Sequence, residues 1–297
     1  MNFDIETALK TNAEQIESKL SSFFCKGDSD LDVIENAQKY SLLGGGKRIR
    51  AFLVRAVCRT FGGDDNAALS SACAIEMIHA YSLIHDDLPC MDDDDYRRGK
   101  LTNHKVFGEA TAVLAGDALL TSAFGVVADS ATLLPDAKLR SVSLLSRAAG
   151  DMGMIGGQIL DLAAEKSTDV ELARLLKIHS LKTGALIRAS VKLGCFAAGL
   201  DENDERTAAV DRYAEKIGLA FQVIDDILDE IGDQATLGKK TGSDKQSDKM
   251  TFMKFYTVEQ AKVYAYELTT KAIAEIEAYD RDGVLGALAL YLWNRTY

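Results

Sequence analysis

Apolar residues recur at intervals of three and four positions along almost the whole chain, as in the segment YAEKIGLAFQVIDDILDEI. This spacing places them on one face of an α-helix, whereas a half-buried strand requires strict alternation. Only two prolines, Pro89 and Pro135, interrupt the 297 residues. No two alternating segments are joined by a hairpin turn. The sequence therefore predicts an all-α protein.

The predicted helices are long, and several exceed twenty residues, which is unusual for a globular protein. They cover roughly 3–24, 31–43, 48–61, 65–88, 106–130, 136–164, 169–179, 182–199, 204–231, 257–279 and 283–294. Short, turn-rich connections favour antiparallel neighbours. No segment has linker composition, so residues 1–297 are expected to form one domain. The polar, glycine-containing segment 232–250 is the longest irregular stretch, and we expect it to act as a mobile lid.

Composition and charge exclude several classes of protein. The net charge of -11 disfavours binding to nucleic acid, which requires a basic face. The N-terminus lacks the pattern of a signal peptide. The longest apolar segment carries Asp117 and Asp129, so it is expected to form a buried helix and not a membrane span. The cysteines are odd in number, widely spaced and without a C-x-x-C pair, which predicts reduced thiols in a cytoplasmic protein. They are Cys25, Cys58, Cys73, Cys90 and Cys195.

The first unusual feature is a run of six carboxylates between positions 86 and 95, in the segment HDDLPCMDDDDYRRG. Asp86 continues the stripe that the preceding helix uses for burial, which consists of Ala72, Ile75, Ile78 and Ser82. The buried face of a structural helix seldom ends in a carboxylate. Because Pro89 cannot continue the helix, we expect a break there that lets Asp92 fold back toward Asp86.

A second acidic group, FQVIDDILD, lies within another long apolar helix. Asp225 and Asp229 are four residues apart and share a face, with Gln222 on the same side. Two acidic patches on inner helix faces would destabilise the protein unless cations lie between them. Mg²⁺ prefers carboxylate oxygens and often bridges them to substrate phosphates, so the pattern predicts a magnesium site.

Other interpretations of the acidic run remain open from its sequence alone. A segment such as MDDDDYRRG is often a solvated loop, and a plain acidic metal-binding module would bind cations without a phosphate ligand. The EF-hand calcium template does not fit, because a loop starting at Asp92 would have Tyr96 at position five and Asn103 at position twelve.

Basic residues accompany the acidic motifs. The segment LLGGGKRIR places Lys47, Arg48 and Arg50 after three glycines at a predicted helix start, where backbone amides and the helix dipole favour an anion. Further basic or polar candidates follow along the chain, namely Arg97, Arg98, Lys182, Thr183, Lys239 and Lys249. Together they predict a site for two anions, one held through metal ions and one held directly by Arg and Lys.

These motifs resemble those of the trans-isoprenyl diphosphate synthases, also called trans-prenyltransferases. DDLPCMDDDDYRRG is similar to the first aspartate-rich motif of that family, and FQVIDDILD is similar to the second. GGGKRIR, GGQILDL, HSLKTG and LGKKTGSD resemble further family segments in the same order. Within the family, the chain is most similar to the bacterial farnesyl diphosphate synthases. The resemblance implies a single-domain barrel of long helices around a deep central cavity, and a homodimer.

The resemblance also implies residue roles. Asp86, Asp92 and Asp225 would hold two or three Mg²⁺ ions, assisted by Asp87, Asp226 and Asp229. The allylic diphosphate would contact Arg97, Lys182, Gln222, Lys239 and Lys249, and Thr183 would stabilise the allylic cation. Isopentenyl diphosphate would be held by Lys47, Arg50, His79 and Arg98. Lys182, Thr183 and Gln222 would thus be the catalytic residues.

Product length is expected to depend on Tyr81, which lies five residues before Asp86 and therefore ~7.5 Å deeper along the helix. With Ser82 it would form the floor of the cavity and stop growth at the C15 farnesyl chain. A geranyl or geranylgeranyl diphosphate synthase is the alternative. A terpene cyclase or a non-catalytic helical subunit is less compatible with the sequence, because both aspartate motifs are intact.

Overall fold

The protein is described by a computed structural model over residues 3–24, 29–165, 171–231 and 250–294. Its helices are α1 (Ile5–Ser21), α2 (Asp32–Leu42), α3 (Ile49–Thr60), α4 (Asp65–Asp86), α5 (Asn103–Phe107), α6 (Glu109–Ala128), α7 (Pro135–Ala149), α8 (Met154–Glu165), α9 (Leu172–His179), α10 (Ala185–Ala197), α11 (Glu205–Ile231), α12 (Val258–Ile276) and α13 (Val284–Trp293). A π-helix, Ser180–Gly184, joins α9 to α10, and short 3₁₀ turns cover Ser29–Leu31 and Phe252–Lys254. The predicted all-α class is confirmed.

Three predicted helices differ from the observed ones at their breaks. The helix expected at 106–130 is divided by Gly108, whose φ of +85° a residue with a side chain rarely adopts. The helix expected at 136–164 is divided into α7 and α8 by a turn at 150–153. The helix expected at 182–199 begins as the π-helix. The predicted periodicity continues through these breaks, so it could not reveal them.

A small antiparallel hairpin, missed in the sequence, follows the acidic run. Its strands are β1 (Tyr96–Arg97) and β2 (Lys100–Leu101), with Arg97 opposite Lys100. The two residues between them, Arg98 and Gly99, have φ angles of 53° and 74°. Positive φ at both central positions is the geometry of a tight two-residue hairpin turn. The hairpin fixes the direction in which Arg97 and Arg98 leave the acidic run.

The core consists of three apolar clusters. The first surrounds α4, which packs on α6 and α3, and includes Ile75 and Leu119. The second joins α3 and α10 to α11 and α13 around Phe52 and Tyr213. The third lies between α9, α11 and α12 and includes Phe252. α4 and α11, which carry the two aspartate motifs, are therefore held by packing along their length, which fixes where their last turns lie.

Helices α4 and α6 are both long and apolar enough to cross a membrane by length and composition alone. In α4, 67% of the most apolar window is buried inside the molecule, as in a core helix. In α6 only 33% is buried, and Val113 and Leu114 are exposed. The expectation that this segment is a buried helix is therefore wrong for one of its faces. In a uniformly apolar helix, the sequence pattern does not distinguish the buried face from the exposed one.

Candidate active site

The first aspartate motif begins where α4 ends. The last helical residue is Asp86, and Asp87 caps the helix. The chain then turns back, because the Met91 amide donates to the Leu88 carbonyl at 2.8 Å and the Asp92 amide donates to the Asp86 carbonyl at 2.9 Å. The break at Pro89 therefore returns Asp92 to the end of α4, as the sequence predicts.

The charge of Asp86 is poorly compensated within the protein. Burial raises the pKa of the Asp86 carboxyl to about 6; Lys182 and Arg97 oppose the rise, whereas Asp92 and Asp87 add to it. A raised pKa means that the carboxylate form is destabilised. A cation bound beside Asp86 and Asp92 would remove this cost.

Asp87 has a different partner from Asp86. Its buried carboxylate accepts two hydrogen bonds of 2.8 Å from Arg97 Nε and one of 2.5 Å from Arg97 Nη2. Arg97 Nη2 also lies 3.8 Å from Asp94 Oδ2. Multiple charge-assisted bonds of this kind fix both side chains. Arg97 is therefore held inside the acidic motif by the hairpin and by Asp87 together.

The second aspartate motif lies on the last turns of α11. Asp225 and Asp229 are partly buried on one face, whereas Asp226 is buried on another. Asp226 Oδ2 accepts a 2.7 Å hydrogen bond from the Phe252 amide and lies 4.0 Å from His179 Nε2. The structure thus gives Asp226 a role in attaching the 252–254 turn to α11.

The π-helix lies between the two aspartate motifs. Lys182 Nζ donates to Asp161 Oδ2 on α8 at 2.7 Å and interacts electrostatically with Asp86. Thr183 Oγ1 donates to Gln222 Oε1 at 2.9 Å, and Gln222 Nε2 donates to Asp225 Oδ2 at 3.4 Å. Single π-turns inside helices occur frequently at functional sites. Here the turn presents Lys182 toward the first motif and Thr183 toward the second.

Close packing of α8 makes this presentation possible. A Cβ atom added at Gly157 would lie 2.2 Å from the Lys182 backbone nitrogen and 2.6 Å from its Cα atom. Only glycine permits such an approach. Asp161 lies one turn further along α8 and reaches Lys182 from this contact. The GGQILDL segment therefore supports the lysine both through its backbone and through a carboxylate.

A basic cluster lies beside the acidic one. A cavity of about 50 Å³ is lined by residues that include His79, Arg97 and Arg98. The pKa of His79 is well below its usual value because the ring is desolvated and because Arg50, Arg98 and Arg97 are near. Burial lowers the pKa of Arg50 as well, and Arg50 Nε has no hydrogen-bond partner among the described residues. Several basic side chains close to a small cavity form a site that an anion would stabilise.

Glu76, which the sequence analysis did not single out, organises this basic cluster. Its Oε1 accepts the Ala51 amide at 3.1 Å in the first turn of α3, and its Oε2 accepts from Arg48 Nη1 at 3.5 Å. A carboxylate at a helix N-terminus is favoured by the helix dipole. Glu76 therefore fixes the start of α3, and with it Arg50. The sequence feature that could have indicated this role is the position of Glu76 itself, a glutamate on the buried face of α4, one turn before His79.

Comparison with known proteins identifies the family. The sequence profile described as polyprenyl synthetase matches residues 31–282. The chain belongs to the polyprenyl synthetase family. It is 45% identical to the farnesyl diphosphate synthase of Escherichia coli, over 98% of this chain and 99% of that protein. It is 43% identical to the geranylgeranyl diphosphate synthase of Cyanophora paradoxa, over 99% of this chain and 97% of that protein.

A solved structure gives the same result for the fold. The Helicobacter pylori geranyltransferase, complexed with magnesium and isoprenyl diphosphate, matches with a TM-score of 0.85 and 34% identity. The match covers 99% of this chain and 97% of that one. This polyprenyl synthetase is therefore a trans-prenyltransferase of isoprenoid biosynthesis with the all-α fold of that family. Its relatives differ in product length.

The donor set of this polyprenyl synthetase fits magnesium held jointly with a phosphate ligand. Within the described ranges, no three His, Cys, Asp or Glu side chains converge closely enough to hold a metal ion alone. Mg²⁺ commonly takes one or two carboxylates and completes its coordination with substrate phosphates and water. Asp86 and Asp92 on one side and Asp225 on the other offer carboxylates of this kind, and burial, which raises the pKa of Asp86 to about 6, makes a bound cation favourable there.

Tyr81 and Ser82, the residues predicted to limit product length, lie in the last two turns of α4. Tyr81 is 4% exposed, its hydroxyl has no partner among the described residues, and burial raises its pKa to about 12. Its ring contacts the His85 ring edge-on, with centroids 5.7 Å apart. Ser82 Oγ donates to the His79 carbonyl at 2.9 Å within the helix, so its hydroxyl is satisfied locally.

Lys47 lies apart from the basic residues around His79. Its Nζ lies 4.9 Å from the Tyr291 ring centroid, in a groove beside α13. It does not line the cavity that holds His79 and Arg98. Lys239, Lys249 and the predicted lid, except Met250, lie outside the described residues. Asp161, the partner of Lys182, was quoted within a motif but not recognised as a site residue.

Proposed function

We propose that this polyprenyl synthetase is a Mg²⁺-dependent farnesyl diphosphate synthase. It would condense isopentenyl diphosphate with dimethylallyl diphosphate and then with geranyl diphosphate, releasing pyrophosphate each time. The observation that carries this proposal is the π-helix between the two aspartate motifs, with Lys182 facing Asp86 and Thr183 bonded through Gln222 to Asp225. Residues 1–297 would form one polyprenyl synthase domain.

The two diphosphates would occupy different electrostatic environments. Two or three Mg²⁺ ions, held by Asp86, Asp92 and Asp225 with help from Asp87, Asp226 and Asp229, would neutralise the leaving pyrophosphate. Around it, the allylic diphosphate would contact Arg97, Lys182, Gln222, Lys239 and Lys249. Isopentenyl diphosphate would be held directly by His79, Arg50 and Arg98. Lys47 would join that set only if it left Tyr291.

The side chains contribute position and charge to the reaction. Lys182 and Arg97 stabilise the negative charge that develops on the leaving group. The bond between carbon and oxygen breaks, an allylic cation forms, and the double bond of isopentenyl diphosphate attacks it. Thr183 Oγ1, fixed by Gln222 at 2.9 Å, would direct its oxygen lone pairs at the cation. The new cation then loses a proton, and the released pyrophosphate is the base that accepts it. Such a reaction needs no side-chain nucleophile.

The C15 product is the finer part of the proposal. Relatives of similar identity include farnesyl and geranylgeranyl diphosphate synthases, so geranylgeranyl diphosphate is the second candidate. The buried Tyr81 ring favours the shorter product because it fills the space into which a longer chain would grow. Tyr81→Ala should lengthen the products. Tyr81→Phe should leave them at C15, since the hydroxyl has no partner among the described residues.

A homodimer in the cytoplasm is also proposed. The exposed apolar face of α6, with Val113 38% and Leu114 56% exposed, would be covered by the same face of a second copy, because two-fold interfaces are self-complementary. Cys58, Cys73, Cys90 and Cys195 are all free thiols, as expected in a reducing compartment. Light scattering after size exclusion should give twice the monomer mass, and Leu114→Glu should give the monomer.

The decisive experiment measures products. The purified protein is incubated with dimethylallyl and isopentenyl diphosphates, with magnesium or with EDTA, and product lengths are read by mass spectrometry. We expect farnesyl diphosphate only with magnesium. Asp225→Asn should abolish it, whereas Asp129→Asn, at the exposed end of α6, should not. Formation of C20 product alone would refute the farnesyl assignment, and no condensation at all would refute the enzyme assignment.

A further inference from the structure

Immediately before Asp86, a histidine of α4 fits into a notch in α6. A Cβ atom added at Gly116 would lie 2.1 Å from His85 Nε2, 2.5 Å from Cδ2 and 2.9 Å from Cε1. These atoms belong to a stiff ring and not to the end of a flexible chain, so the overlap could not be relieved by a small rotation. The His85 ring therefore occupies the position that any side chain at Gly116 would need.

A hydrogen bond holds the ring in this notch. His85 Nε2 lies 3.0 Å from the Val113 carbonyl oxygen of α6. A carbonyl can only accept, so Nε2 must carry the proton and donate it. The exposed Asp117 carboxylate is 3.9 Å away, which is beyond hydrogen-bond distance. The notch at Gly116 and the Val113 carbonyl together give the ring one defined position.

The same ring also contacts Tyr81. The two rings meet edge-on, at 75° and a centroid distance of 5.7 Å, which is a favourable aromatic arrangement. Because the Tyr81 hydroxyl has no partner among the described residues, no hydrogen bond holds that ring. Packing alone determines where it lies, and His85 is the aromatic neighbour that limits its rotation.

We propose that His85, seated at Gly116, is a positioning residue that determines product length by holding the Tyr81 ring across the path of the growing chain. The proposal rests on the proposed function, in which Tyr81 forms the floor of the cavity. It places the control of specificity in a contact between α4 and α6, and not in the floor residue alone. His85 itself contacts neither substrate nor metal in this scheme.

The first test uses product length, which a purely structural role would leave unchanged. His85→Gln keeps a donor that can reach the Val113 carbonyl but removes the ring from Tyr81. We expect the ratio of C20 to C15 product to rise about fivefold, as for an edge contact of about 1 kcal/mol. An unchanged ratio in an active, folded variant would overturn the proposal.

The second test is a double-mutant cycle on the notch. Gly116→Ala should lower the Tm and raise the C20 to C15 ratio, because it expels the ring. In the His85→Ala background the same substitution should no longer lower the Tm, since the ring is absent and alanine favours a helix over glycine. An equal decrease in Tm in the two backgrounds would contradict the inference that the His85 ring packs against Gly116.

Gly125→Ala is the matched control on the same helix. An added Cβ there meets no atom within 4 Å, so Tm and product ratio should stay at the wild-type values or Tm should rise. Its oligomeric state is measured alongside, because this position is exposed.

Absence of any product from the wild-type protein would refute the proposed function instead. A wild-type ratio of C20 to C15 product in Tyr81→Ala would refute the role of Tyr81 as the floor of the cavity. In either case, the Tm values of the double-mutant cycle would still test the contact between the His85 ring and Gly116.

Discussion

Substitution of Gly157 by alanine tests whether the backbone contact between α8 and the π-helix positions Lys182, the lysine that we propose to be catalytic. The added Cβ would lie 2.2 Å from the Lys182 nitrogen, whereas ordinary contact begins at 3.4 Å. Both partners are backbone, so the two segments must move apart by about 1 Å. The displacement acts on Lys182 and on its 2.7 Å bond to Asp161.

A misplacement of about 1 Å at a reacting group can cost about 100-fold in rate, and overpacking of this kind costs about 1–3 kcal/mol of stability. We therefore expect Gly157→Ala to lose one to two orders of magnitude in kcat, with a smaller change in KM. Steady-state kinetics and urea unfolding measure the two effects separately.

The control is Gly218→Ala on α11, where the nearest atom to an added Cβ is Ile187 Cδ1 at 3.4 Å. It should retain most of the activity. If Gly157→Ala kept the wild-type kcat, the reasoning that links the contact to Lys182 would be refuted, whatever its stability. If both variants lost activity equally, the loss would reflect general sensitivity of the helices and not this contact.

Three further predictions concern charges and hydrogen bonds. Without magnesium, Asp86→Asn should stabilise the protein by about 1–3 kcal/mol at pH 8. The reason is that the Asp86 carboxyl, whose pKa is raised to about 6, makes the folded protein less stable as the pH rises from about 4 through 6. Denaturant unfolding in EDTA should show this difference at pH 8 and no difference near pH 3. Glu76→Gln should raise the KM for isopentenyl diphosphate about tenfold, which corresponds to a loss of about 1.4 kcal/mol in binding free energy, with little change in the KM for the allylic substrate. Equal effects on both KM values would contradict the assignment of the basic cluster to isopentenyl diphosphate. Tyr213→Phe removes a buried 2.7 Å hydrogen bond to the Leu285 carbonyl; thermal unfolding should show a loss of about 1 kcal/mol with an unchanged product ratio.

The sequence was most informative where local chemistry decides the structure. Pro89 cannot continue a helix beyond its first turn, so the return of Asp92 to Asp86 was predictable from the segment itself. The spacing of Gln222 and Asp225 on one helix likewise requires no knowledge of the fold. The π-helix was not predictable in the same way, because Lys182 reaches Asp161, which is 21 residues away in the chain. The direction in which Lys182 points depends on that distant partner.

The close helix contacts at glycines and the role of Glu76 at the start of α3 were not predicted, for a related reason. Gly157 and Gly116 each lie in a segment with helical periodicity, and nothing local shows which glycine faces a neighbour and which faces solvent, as Gly125 does. Glu76 could be recognised as unusual, since buried glutamates need partners, but its partner amide belongs to α3. Such residues become interpretable only when two helices are placed side by side.

Under the proposed function, the two charge clusters would keep the two diphosphates in separate positions. Burial and neighbouring carboxylates make Asp86 hard to ionise, whereas burial and neighbouring arginines make His79 hard to protonate. In each cluster the charged form of one group is therefore disfavoured, and under the proposed function each cluster would favour a different ligand. The acidic side would accept a diphosphate only together with divalent cations, and the basic side would accept one directly. Arg97 lines the basic cavity and is bonded to Asp87, so under the proposed function the two diphosphates would bind on either side of this arginine.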